Sequence, residues 1–135
     1  MKHNVLFLSV ILLISACTGH DSPQAVAESF LEAYLDCRFD EAAKMASPEV
    51  GTMLHWRASQ LTQAELELLN EHPVADVTVE DAEEADGEWV VTLRAIDALL
   101  MDSIGQPAHV GDARYRVVLV RAEGKRWRVS SLQAD

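Results

Sequence analysis

Two cysteines, Cys17 and Cys37, are the only thiols in a chain of 135 residues, and each points to a different chemistry. Cys17 follows Ser15 and Ala16 at the end of an apolar run, where a secreted chain is cut and a new N-terminus made. Cys37 falls on a stripe with Phe30 and Tyr34 at helical spacing, which predicts a buried, inert thiol rather than a nucleophile. His20, His55, His72 and His109 are scattered, and no pair has the short spacing of zinc ligands. No metal and no cofactor is therefore expected. Proton transfer would need a carboxylate or imidazole beside a hydrogen-bond donor. His55, Asp81 and Asp97, with Tyr34 or Tyr115 as donors, are the candidates, and none lies in a motif specific to that role. Phosphate loops, dinucleotide fingerprints and nucleophile elbows are absent from the sequence.

Aromatic residues carry the other candidate chemistry. Tyr34, Trp89, Tyr115 and Trp127 are expected on surfaces that face one another, one on a helix and three on a sheet. Two outcomes are open: these rings fill the core, or incomplete filling leaves an apolar pocket with polar tips that takes a small apolar ligand.

The elements that must position them are marked by cap and turn residues. Ser22-Pro23 is an N-cap followed by proline at the first helical position. Val26, Phe30, Tyr34 and Cys37, with Leu31 and Leu35 alongside, predict an amphipathic helix of about four turns. Glu28, Glu32 and Asp36 form a separate, solvent-facing row. A short second helix runs from Phe39 through Met45 with Asp40 as cap. A third starts at Ser47-Pro48 and carries Val50, Met53, Leu54 and Trp56-Arg57. Thr62-Gln-Ala-Glu65 is a capping box for a fourth, which His72-Pro73 ends.

From Val74 the period becomes two and two hairpins follow. Ala85-Asp86-Gly87 and Ala122-Glu123-Gly124 each suit a three-residue loop closed by glycine in the left-handed region. That register sets Val79 opposite Leu93 and Val77 opposite Ala95. In the second hairpin it sets Leu119 opposite Trp127 and Val117 opposite Val129. A two-residue loop in the first hairpin would place Glu80 opposite Leu93 and mix the faces. The other face mixes Thr78, Thr92, Arg94, Arg116, Arg126 and Arg128 with Val90, Ile96, Val118 and Val120. Acids concentrate between Asp76 and Glu88 and bases between Arg114 and Arg128, so they could pair if the hairpins share a sheet. The stretch 96–111 predicts a strand extension followed by a loop.

Hydrophobic residues make up 49% of the chain, enough for a core, and its length suits one domain. The formal net charge of −11 disfavours nucleic acid as a partner and discourages docking on anionic lipid headgroups.

Lys2 and the apolar run 5–14 have the form of a signal peptide, too short to span a bilayer as a permanent helix. Ile14-Ser15-Ala16-Cys17 resembles the bacterial lipobox. The resemblance implies cleavage after residue 16, acylation of Cys17 and a membrane anchor through that residue, with residues 17–22 as tether. Thr18, where aspartate favours retention in the inner membrane, implies the outer membrane of a bacterial cell envelope.

Helices followed by an antiparallel sheet predict a single α+β domain over residues 23–135. Ser22 to Leu35, then Phe39 to Ala46, with the closing hairpin 117–129, resemble small bacterial lipoproteins with the nuclear transport factor 2-like cone fold. The chain departs from that pattern at Asp36-Cys37-Arg38, where members often carry Gly-Asp. The resemblance implies N-terminal helices packed on a curved antiparallel sheet and a non-enzymatic binding or interaction module. It also implies a homodimer or a contact with another envelope protein through the outer sheet face. The alternative it carries is an enzyme like ketosteroid isomerases or SnoaL-type cyclases, acting on a small apolar carbonyl compound in the cone pocket.

Overall fold

The computed structural model describes residues 22–72, 74–100, 108–121 and 126–135. The signal peptide, Cys17, its tether up to residue 21, His20 and the turn at 122–124 lie outside the described residues. Four helices precede four strands: α1 (Pro23–Leu35), α2 (Phe39–Lys44), α3 (Pro48–Ser59), α4 (Gln63–Glu71), β1 (Asp76–Ala85), β2 (Glu88–Leu100), β3 (His109–Arg121) and β4 (Trp127–Ala134). The strands form one antiparallel sheet in the order β1-β2-β3-β4, and the helices pack against its curved inner face as an α+β domain.

The cap residues act largely as their types dictate. Ser22 and Ser47 accept hydrogen bonds from the backbone N–H of Ala25 and Val50. Thr62 and Glu65 form both halves of a capping box, satisfying two amides that the helix leaves open. One cap differs: α2 is preceded by Arg38 without a side-chain cap, and Asp40 sits inside its first turn. There it meets the positive end of the helix without closing it.

Helix α1 ends in a Schellman turn, with Cys37 N–H donating to Tyr34 C=O and Arg38 N–H to Ala33 C=O. That turn demands a left-handed residue, and Cys37 takes it with φ of 56°. A position that favours glycine is here held by a residue with a Cβ. Along α1, Ala27, Phe30 and Leu31 are fully buried, whereas Val26, Tyr34 and Cys37 are only partly covered at the flank of the core. Glu32 is half-buried, and its carboxyl pKa is raised first by burial and then by neighbouring Glu28 and Asp76.

The first hairpin corrects the expected turn while keeping the expected face. Ala85 pairs with Glu88, so the loop has two residues, and Asp86 and Gly87 both have positive φ, as a type I′ turn requires. A bulge then leaves Glu80 as an extra residue, which restores Val79 opposite Leu93 and Val77 opposite Ala95. The extra residue is therefore at Glu80 and not in the turn. Freed from the ladder, Glu80 pairs with Arg114 at 2.7 Å across the intervening strand.

The second hairpin is shifted by two residues from the expected register. Trp127 faces Arg121, and Val129 faces Leu119 rather than Val117. An even shift preserves faces, so Val117, Leu119 and Val129 all remain fully buried. Two more bulges, at Ile96-Asp97 and at Ser130, bend β2 and β4. Strand β2 does extend through Leu100. The edge of β4 is covered where Ala46 bridges to Val129: Ser47 N–H donates to Val129 C=O, and Val129 N–H to Met45 C=O.

Replacing Cys37 tests the left-handed turn. Both Cys37→Gly and Cys37→Ala lose the thiol, but only alanine keeps the Cβ penalty. The glycine variant should be more stable than the alanine variant by about 1 kcal/mol, read from chemical denaturation. Equal midpoints and slopes would remove the strain argument.

Candidate functional site

Helix α1 brings Tyr34 to one end of the concave sheet face, and β3 brings Tyr115 to the same place. Between them lies a cleft of about 200 Å³. Leu99, Leu100 and Leu132 of the sheet supply its apolar floor, and Met53 and Arg57 of α3 reach its rim. Tyr34 is fixed by rings on both sides. It stacks on Phe30 with centroids 6.2 Å apart and meets Phe39 edge-on at 5.8 Å. The Arg57 guanidinium carbon lies 5.7 Å from the Tyr34 ring centroid, a cation–π contact that places a positive charge at the cleft. Tyr115 is 8% exposed and belongs to the core cluster.

The remaining two expected binding residues lie elsewhere. Trp127 sits under Arg121, whose guanidinium carbon is 5.2 Å from the indole centroid, and lines a separate groove beside the start of α1. Trp89 is half-buried at the hairpin end of the sheet, opposite Glu84 and Leu119, and lines neither space. The structure thus joins Tyr34 with Tyr115 and leaves the tryptophans apart. Arg57 and Met53 are lining residues that sequence reasoning placed on a helix but not at a site. Their only signal was position on α3, because the cleft forms where α3 packs on α2 and β4 near the end of α1.

The candidates for proton transfer do not converge. His55 is exposed and lies 3.8 Å from Asp40. Asp81 is exposed on β1. Asp97 occupies the β2 bulge with φ of 54°; its N–H donates to Asp112, and its carbonyl accepts from Nε2–H of His72 at 2.7 Å. A carbonyl can only accept, which fixes that His72 tautomer and makes the pair a clasp between the end of α4 and the sheet. The described lining of the cleft carries no aspartate, glutamate or histidine. Among the described residues, no three His, Cys, Asp or Glu side chains gather as a metal site would require.

Cys37 also lines the cleft, half-buried. Burial pushes its thiol up to about 11, with Asp36 and Glu65 adding to the rise and Arg57 opposing it. The cleft thus combines an apolar floor, two tyrosines, one guanidinium and a protonated thiol.

No family model and no curated protein matches the chain. Among solved structures, it is similar to a SEC-C motif containing protein from Rhodopseudomonas palustris, studied in solution. That likeness has 21% identity over 90% of this chain and 91% of that one, with a TM-score of 0.47. It is also similar to a de novo designed protein with a curved β-sheet, at 14% identity over 84% of this chain and 98% of the other, TM-score 0.48.

A thiol pKa near 11 sets a rate. At pH 8 the folded protein should label at Cys37 about a hundredfold more slowly than an unfolded control, because the thiolate fraction is smaller by that factor. Labelling should accelerate as pH rises towards 11. Equal rates for folded and unfolded chains would show a thiol that burial does not protect.

Proposed function

We propose that the chain is a lipid-anchored binding module of the bacterial cell envelope, with a nuclear transport factor 2-like cone whose cleft takes a small apolar ligand. The observation that carries this reading is the cleft between Tyr34 and Tyr115, apolar at its floor and without a described carboxylate or imidazole in its lining. The isomerases and cyclases of the alternative reading use a carboxylate or imidazole against the substrate, and the described lining carries neither. Arg57 at the rim suits a ligand with an anionic or carbonyl end, the tyrosines supply ring faces, and Leu99, Leu100 and Leu132 receive the apolar body. A space of about 200 Å³ fits a ligand below drug size.

The anchor is a reading of the sequence Ile14-Ser15-Ala16-Cys17. Among the described residues no helix is long and apolar enough to cross a membrane. Acyl chains on Cys17 would hold the domain at the bilayer, since several chains anchor stably where one is marginal.

Ala134 tests the cleft, because it lines the space yet is exposed, so a larger side chain there obstructs the opening with little strain on the core. Ala134→Trp should weaken binding of a fluorescent medium-chain fatty acid by tenfold or more, about 1.4 kcal/mol, with an unchanged melting curve. Undiminished binding by that variant would exclude the cleft as the ligand site. Intact-mass measurement on the membrane-extracted protein reads the anchor separately. It should show the mass of an acylated chain beginning at Cys17, and an unmodified Cys17 would refute it.

A further inference from the structure

A second groove, of about 370 Å³, follows the first two turns of α1. Its apolar side is formed by Val26, Met45 and the Trp127 ring, and its polar side by Lys44, Arg126 and Arg128. Three cations gathered in so acidic a chain call for an explanation. Arg38, Arg94, Arg114 and Arg116 each meet a carboxylate within 4.0 Å. Lys44, Arg126 and Arg128 meet none among the described residues; Arg128 donates instead to the Lys44 backbone carbonyl, which holds its guanidinium against the end of α2. The charges of this wall are thus left for an anion from outside, with an apolar and aromatic surface beside them.

We infer that this groove seats the phosphate headgroup of an anionic membrane lipid and so orients the domain on the bilayer. The inference rests on the membrane-anchored reading above. Position supports a lipid over a soluble anion. The groove runs along α1 from Ala25, just inside the Ser22 cap, and Cys17 is five residues before that cap. Five residues reach at most about 17 Å when fully extended, so an anchored domain keeps this end close to the headgroups. Trp127 and Met45 match the boundary between headgroup and acyl chain, where amphipathic rings favour residence. Arginine and lysine together suit phosphate oxygens.

Net negative charge opposes docking, but it acts locally. The acids of β1 lie three strand spacings from β4, about 14 Å along the sheet. The Debye length at physiological salt is about 8 Å, so the groove is largely screened from them. Against the acids of β1, its own cations therefore dominate the local field.

Lys44 provides the readout, since its exposed amine reacts with acylating reagents. The full chain is reconstituted into vesicles of phosphatidylcholine alone or of phosphatidylcholine with phosphatidylglycerol, and Lys44 modification is timed by mass spectrometry. Modification should slow several-fold in the phosphatidylglycerol vesicles, and high salt or Arg126→Gln should restore the rate. Equal rates in the two vesicle types would overturn the inference. Inorganic phosphate that slows Lys44 as much, in phosphatidylcholine vesicles, would assign the groove to a soluble anion and overturn the lipid assignment. Flotation with phosphatidylcholine vesicles separately reads the anchor, and a chain that does not float would refute the anchoring while leaving the comparison of lipids to judge the groove.

Discussion

The packing of α1 across the concave face of the sheet is the contact on which the other features depend. Phe30 and Leu31 are fully buried there, in one cluster with Val91, Leu93, Val117, Leu119 and Val129. Each large side chain so buried contributes about 2–3 kcal/mol, and α1 touches all four strands. A helix that crosses every strand of a sheet fills the curvature it sits in. It also fixes what lies at its two ends: the Tyr34–Tyr115 cleft where it stops, and the cationic groove where it starts.

Curvature comes from the bulges, and these were the hardest features to see in the sequence. The alternation of Val77, Val79, Val91, Leu93 and Ala95 made the inner face of the first hairpin legible, together with its central pairing. It also showed that one residue had to be absorbed between the strands. The pattern did not say where, because a three-residue loop and a two-residue turn with a bulge both set Val79 opposite Leu93 and Val77 opposite Ala95. The Asp86-Gly87 turn and the Glu80 bulge chose the second solution, and the Glu80–Arg114 ion pair rewards the outward side chain. In the closing hairpin a shift of two residues left every face unchanged, so periodicity was silent about it.

Helix starts were legible because caps are local chemistry, as at Ser22, Ser47 and Thr62. The candidate site was legible only in part. Tyr34 and Tyr115 were named from their faces and do line one cleft, but Trp89 and Trp127 share those faces at other positions along the strands. A face tells which side a residue takes, whereas a cleft also depends on depth along the strand and on the helix that covers it. Arg57 and Lys44 reach their sites through tertiary packing of α3 and α2, which no spacing in the sequence records.

The cleft and the groove divide the chemistry of the domain. One is apolar with a single guanidinium at its rim, the other cationic with an aromatic wall, and α1 runs between them. The central claim is that the cleft is an occupied binding site rather than a packing defect. A crystal structure of the protein extracted from its native membrane, without added ligand, tests this most directly. Continuous density between Tyr34 and Tyr115, with its polar end at Arg57, is the expected result. A cleft closed by the protein's own side chains, with Tyr34 and Tyr115 in contact, would contradict it.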